Sequence, residues 1–141
     1  MVIKFPFEKR HSPYFKTIYR PVALAEFYSK NLDLWVSAWC IVDTGADYTL
    51  LPAGYANKLS INLKKDCEII KTLGIGGEGK GFLYRNGKVK IGDWERVTPI
   101  GFLETEDVPP LLGRQDLLET FELVFKNHET IFKPLNPKSQ L

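Results

Sequence analysis

The tripeptide Asp43-Thr44-Gly45 is the first candidate for chemistry in this 141-residue chain. It follows an apolar run over residues 35–42, so a strand would hold the Asp43 carboxylate at its tip, and glycine would let another backbone approach closely. A carboxylate placed in this way can act as a general base on water. Because the tripeptide alone is more often a simple Asp-Gly turn, its context has to decide.

Two other patterns are weighed and set aside. Gly74, Gly76 and Gly79 match the dinucleotide fingerprint G-x-G-x-x-G, but that motif needs a helix after it, and residues 81–91 alternate like a strand. The histidines and cysteines lie at no spacing that suits metal ligands, and the cysteine just before the tripeptide is expected to be a packed apolar residue. We therefore expect no metal, no nucleotide and no other cofactor. The residues concerned are His11, His128, Cys40 and Cys67.

The surrounding sequence predicts mostly strands. Residues 22–28 and 34–42 form a hairpin pattern, and the continuous apolar run in the second segment predicts that both of its faces are covered. Short helices are expected after Pro52 and over residues 113–120, and a turn at residues 85–87. Trp35, Trp39 and Trp94 are expected in the core or on strand faces. Further strands are predicted at residues 68–73, 82–84, 89–91, 97–103, 121–125 and 130–133.

Composition indicates one globular domain. Hydrophobic residues make up 44% of the chain, and 19 basic residues against 17 acidic ones leave a formal charge of +2, which favours neither nucleic acid nor a membrane as partner. Two cysteines without a disulfide pattern and an N-terminus without a long apolar stretch favour a cytoplasmic protein. We expect an N-terminal arm over residues 1–20, a domain over 21–133 and a C-terminal tail over 134–141.

Three motifs in order make the chain resemble the retropepsin-like aspartic proteases. They are the Asp43–Ala46 loop, the glycine-rich stretch over residues 74–79 and the Leu111-Leu112-Gly113 segment. The resemblance implies an all-β fold, a retropepsin-like acid-protease barrel with one or two short helices that forms a homodimer. It also implies a flap at the glycine-rich stretch, where Glu78 departs from the apolar tip of retroviral members.

The resemblance further implies roles for individual residues. Asp43 would be the catalytic carboxylate, Thr44 would brace the two loops of a dimer, and Gly45 would offer its carbonyl to substrate. Gly113 and Arg114 would be structural, with Arg114 paired to Asp47. Substrate contacts would come from Ala46, Asp47, Gly74, Ile75, Gly76, Gly77, Leu111 and Leu112.

The chemistry of such a site explains why a dimer is expected. Hydrolysis without a metal or a covalent intermediate needs one carboxylate as base and one carboxylic acid, and two carboxylates close together share a proton. The chain has a single D-T-G, so the second Asp43 would come from another copy across a twofold axis. The expected activity is that of an aspartic endopeptidase on an extended peptide or protein. The alternative is a silent module for peptide binding or dimerisation.

Overall fold

Strands dominate the computed structural model, which describes residues 1–74 and 77–135. Two short α-helices, α1 (Gly54–Lys58) and α2 (Leu63–Asp66), and a 3-10 helix (Leu118–Thr120) interrupt them. The strands are β1 (Ile3–Pro6), β2 (Glu8–Ser12), β3 (Lys16–Arg20), β4 (Val22–Ser29), β5 (Leu34–Val42), β6 (Thr49–Pro52), β7 (Glu68–Gly74), β8 (Gly77–Ile91), β9 (Trp94–Leu103), β10 (Leu111–Leu112), β11 (Phe121–Lys126) and β12 (Glu129–Pro134).

Six of these strands close into a barrel. The main sheet has the order β4-β5-β10-β6-β9-β8-β7, and β8 also pairs with β4 through Phe27 opposite Val89, which joins the two ends of a six-strand ring. The strand β7 extends the hairpin that it forms with β8. Closure leaves the six strands of the ring without a free edge. The predicted all-β barrel is therefore confirmed.

The barrel interior holds the core. Phe27, Phe102, Leu51 and Val89 are fully buried, and Trp94 lies at the edge of this cluster. Strand β5 faces it with Ala38, Cys40 and Val42, while Trp39 on the opposite face is 54% exposed. The prediction that both faces of β5 are covered was therefore wrong. An apolar run cannot tell whether a second layer lies over the outer face of its strand.

The N-terminal twenty residues form strands of their own. Strand β1 pairs with β12, which also pairs with β11, and β2 and β3 form a separate hairpin. The predicted β11–β12 hairpin is present. Its turn residues Asn127 and His128 both have positive φ, as a tight two-residue hairpin requires. Residues 136–141 of the predicted tail lie outside the described residues.

Two local predictions need correction. Residues 85–87 are not a turn, because β8 runs through them with a bulge between Tyr84 and Gly87. A Cβ on Gly87 would lie 2.4 Å from Ile100, so the glycine serves close packing rather than chain reversal. The helix expected over residues 113–120 shrinks to the 3-10 helix, since Asp116 has a positive φ that a right-handed helix cannot accommodate.

Candidate active site

The Asp43 carboxylate stands at the end of β5, where the strand gives way to a loop. Its backbone N–H donates to the Leu112 carbonyl at 3.0 Å, and its carbonyl accepts the Ala46 N–H at 3.1 Å. The side-chain Oδ1 accepts the Gly45 N–H at 2.9 Å. Asp43 is half-buried, whereas Thr44 and Gly45 are exposed. The loop therefore holds the carboxylate in one orientation while leaving it open to solvent.

Strand β10 secures this loop from the side. Leu111 pairs with Ile41 of β5 in parallel and with Leu50 of β6 antiparallel, so the two-residue strand lies between them. Residues beyond it bond the loop backbone: the Arg114 N–H donates to the Ala46 carbonyl at 3.0 Å, and the Gln115 N–H donates to the Asp47 carbonyl at 2.8 Å. The segment around Leu111 and the Asp43 loop thus form one hydrogen-bonded unit.

Gly113 lets these two segments meet. A Cβ at this position would lie 2.2 Å from the Tyr48 carbonyl carbon, a distance that no side chain can occupy. Its N–H donates to the buried hydroxyl of Thr49 at 3.2 Å. The close approach of the two backbones therefore depends on glycine at position 113.

The expected ion pair between Asp47 and Arg114 is present. Arg114 Nη2 lies 2.7 Å from Asp47 Oδ1, and Nη1 donates to the Thr44 carbonyl at 2.7 Å. The Asp47 side chain is 81% exposed and the Arg114 side chain 46% exposed. An exposed pair of this kind contributes about 0–1 kcal/mol, so its main effect within one chain is to orient the loop.

The family model described as Aspartyl protease matches residues 31–115, more than half of the chain. The chain belongs to the aspartyl protease family. The matched residues include both the Asp43 loop and the Leu111–Gly113 segment that the structure brings together. Family and fold together support aspartic protease activity in general.

A solved structure shares the fold of this aspartyl protease family member. It is a retropepsin-like aspartic protease from Rickettsia conorii, 23% identical in sequence, with a TM-score of 0.62. The match covers 91% of this chain and 97% of that one. At this level of identity the likeness shows the fold. No curated protein matches the sequence.

Part of the glycine-rich stretch of this aspartyl protease family member lies in the β7–β8 hairpin. Gly74 pairs with Gly77 in its ladder, while Ile75 and Gly76 lie outside the described residues. Farther down the hairpin, the exposed side chain of Arg85 forms an ion pair with Glu68. This pair lowers the pKa of Glu68, because the guanidinium bonds the carboxylate. The flap at this stretch stays a prediction.

Two residues important to the site were missed in the sequence. Tyr48 packs against both Gly113 and Gly101, and Thr49 bonds Gly113 with its buried hydroxyl. Burial, with the nearby Asp47 charge as a smaller cause, raises the pKa of Tyr48. Both residues follow the D-T-G-A-D run directly, but only their tertiary partners reveal what they do.

The cysteines have no sign of nucleophilic activation. Burial raises the pKa of the Cys40 thiol far above its ordinary value. The pKa of Cys67 is raised to about 11, first by burial and second by the charge of Asp66. Within residues 1–74 and 77–135 there is no cluster of three or more His, Cys, Asp or Glu suited to a metal. No helix in the described part of the chain is long and apolar enough to span a membrane.

Proposed function

We propose that this protein is an aspartic endopeptidase that works as a homodimer, with one Asp43 from each copy. The observation that carries the proposal is the Asp43 carboxylate itself, oriented by the Gly45 N–H at the accessible end of a clamped loop. A carboxylate that is both fixed and open to solvent suits activation of a water molecule.

The reaction needs two carboxyl groups that share one proton. The ionised carboxylate takes a proton from water as the water oxygen attacks the peptide carbonyl carbon. The protonated carboxyl gives its proton to the carbonyl oxygen. When the resulting tetrahedral intermediate collapses, the C–N bond breaks and the carboxyl group that took the water proton gives it to the leaving amine nitrogen. A hydroxyl of the intermediate returns its proton to the other carboxylate, so the shared proton is restored and no metal or covalent intermediate is required.

The loop surface supports the need for a second copy. Thr44, Gly45, Asp47 and Arg114 surround Asp43 and are exposed in the single chain. The backbone of this surface is held by β10, so it can meet an identical surface without rearrangement. A twofold axis beside Thr44 would bring the two Asp43 side chains together.

The substrate in this proposal is an extended peptide. A strand-like peptide gains main-chain hydrogen bonds when it lies between two β elements. Here the β7–β8 hairpin would supply one side, with Gly74 and Gly77 at the end of its ladder, and the Asp43 loop would supply the other. Leu111 beside the loop is half-buried and would offer an apolar contact.

The test combines cleavage and assembly. The wild-type protein is incubated with a peptide library at several pH values, and the products are identified by mass spectrometry, with a pepstatin-type inhibitor to assign the class. Asp43→Asn should abolish cleavage, whereas Asp93→Asn, an exposed aspartate in the turn between β8 and β9, should retain it. Sedimentation should show a dimer for both variants.

Three results would count against the proposal. Cleavage by a strict monomer would exclude the shared site, and cleavage that survives in Asp43→Asn would remove this residue from catalysis. A dimer that binds peptides without cutting any would favour the silent binding module.

A further inference from the structure

A groove of about 640 Å³ lies on the outer face of β4 and β5. Its apolar lining comes from three separate parts of the chain: Val22, Trp39 and Ile41 from the barrel, Tyr55 from α1, and Pro109 and Pro110 from the loop after β9. Glu8, Arg10 and Arg20 of the β2–β3 hairpin add a polar wall. That hairpin precedes residues 31–115, so this wall is built by residues outside the family match.

The groove lies beside the site at Asp43, because Ile41 and Pro110 line it and directly precede Val42 and Leu111 in the chain. Trp39 and Ile41 are alternate residues of β5 that face away from the core, and β5 ends at Val42, directly before Asp43. The Ile41 N–H also donates to the Pro110 carbonyl at 2.9 Å, and Pro110 leads directly into β10. Trp39 lies four residues from Asp43, a distance of about 13 Å along a strand.

Trp39 is held in place although it is 54% exposed. Its ring meets Phe5 edge to face at 6.0 Å between centroids, and Phe5 meets the fully buried Phe132 in the same way at 5.9 Å. At the far end of the groove, the Gly54 N–H donates to Glu106 at 2.6 Å, which ties α1 to the loop after β9. The exposed ring is therefore presented on a fixed wall rather than on a mobile one.

The charged residues around the groove favour neither an acidic nor a basic ligand. Among the described residues that line it, three carboxylates (Glu8, Glu106 and Asp107) stand against two guanidinium groups (Arg10 and Arg20). Arg10 already pairs with Glu8 at 2.8 Å. With the charges nearly balanced, the exposed aromatic and proline surfaces dominate what the groove can bind.

The geometry points to an accessory substrate subsite, centred on Trp39, that takes a bulky aromatic or apolar side chain of the peptide far from the cleaved bond. An extended peptide advances about 3.3–3.6 Å per residue, so for a peptide that runs along β5 the roughly 13 Å between Asp43 and Trp39 corresponds to a side chain about four residues from that bond. This inference rests on the proposed function. It assigns the N-terminal hairpin to one wall of an extended substrate cleft.

The test compares two versions of a peptide that the enzyme cleaves. One carries tryptophan about four residues from the cleaved bond and the other carries glycine there, in separate series for the two sides of the bond. For the wild type, the tryptophan version on one side should have the higher kcat/KM, by about tenfold for a moderately buried apolar group. The ratio of kcat/KM for the tryptophan version to kcat/KM for the glycine version should fall close to one in Trp39→Ala. In Trp39→Phe this ratio should be largely restored.

Trp35→Ala is the matched control. Trp35 lies on the same strand and the same face, but it contacts Tyr28, Lys88 and Lys90 instead of the groove. Its replacement should keep the wild-type ratio. An unchanged ratio in Trp39→Ala, or an equal loss in Trp35→Ala, would overturn the subsite.

A binding measurement separates this inference from the proposed function. Fluorescence anisotropy of labelled versions of both peptides is recorded with Asp43→Asn protein and with the double variant Asp43→Asn, Trp39→Ala. Tighter binding of the tryptophan version that requires Trp39 supports the groove even if the wild type cuts nothing, a result that would reject the endopeptidase alone. Equal binding of both versions rejects the groove even if cleavage is observed.

Discussion

The backbone of Gly113 lies directly against the backbone of Tyr48, with no room for a side chain between them. This contact joins the end of β10 to the residue that follows Asp47, and the Thr49 hydroxyl completes it by accepting the Gly113 N–H. The position of the Asp43 loop therefore depends on a glycine seventy residues farther along the chain.

Gly113→Ala should destabilise the protein and reduce its activity. A methyl group 2.2 Å from the Tyr48 carbonyl carbon forces the two backbones apart, and overpacking of this kind costs about 1–3 kcal/mol. The free energy of unfolding from urea titration measures the effect. Gly54→Ala in α1 is the control, because its new methyl would meet only the flexible Glu106 side chain. Equal stability of the Gly113→Ala protein and the wild type would show that the contact can relax.

Asp43→Asn and Asp43→Ala should separate chemistry from loop structure. Both should abolish cleavage, since neither side chain can share a proton between two carboxyl groups. Asparagine keeps an oxygen that can accept the Gly45 N–H, while alanine leaves that donor without its partner. In the proposed dimer, asparagine also removes the repulsion between two carboxylates. We expect a melting temperature equal to or above that of the wild type for Asn and a lower one for Ala. A strongly lowered value for Asn would mean that the charge itself stabilises the loop.

Arg114→Lys should weaken the proposed dimer more than it weakens the single chain. The guanidinium spans two acceptors, Asp47 Oδ1 and the Thr44 carbonyl, and an ammonium group cannot reproduce this fork. Because the pair is exposed within one chain, the free energy of unfolding of the monomer should change by about 1 kcal/mol or less. Sedimentation equilibrium should show a raised dimer dissociation constant. A double-mutant cycle with Asp47→Asn would reveal whether the ion pair or the Thr44 contact is responsible.

Stability should decline at alkaline pH in part because of Cys67, with the buried Cys40 thiol acting in the same direction. The pKa of Cys67 is raised from 9.0 to about 11 in the folded protein, so the thiol of the unfolded chain ionises first as pH rises. The contribution of the neutral thiol to the free energy of unfolding is therefore fully present below pH 9 and is lost as pH rises through 11. Urea titrations at pH 7 and pH 10 measure the difference in the free energy of unfolding. That difference should be smaller in Cys67→Ser. A difference of unchanged size in Cys67→Ser would assign the alkaline effect to other groups.

Some features of this protein followed from residues that are close in the chain. The D-T-G-A-D run after an apolar strand, the β4–β5 hairpin and the β11–β12 hairpin were predicted because strand alternation and turn residues are local properties. The order of three motifs predicted the barrel, and the family match and the solved structure agree with it. These local patterns predict structure because the residues that specify a hairpin lie within the hairpin itself.

Other features could only come from contacts between distant segments. The apolar sequence of β5 was compatible with cover on both faces, and only the path of the remaining chain leaves Trp39 exposed beside a groove. Gly87 looked like a turn residue until Ile100 was seen to fill the space where its side chain would be. The sequence by itself determined the positions of most strands and placed Asp43 directly after one of them. Tertiary structure alone decided which faces stay open and which glycines are required, because both depend on packing partners far away in sequence.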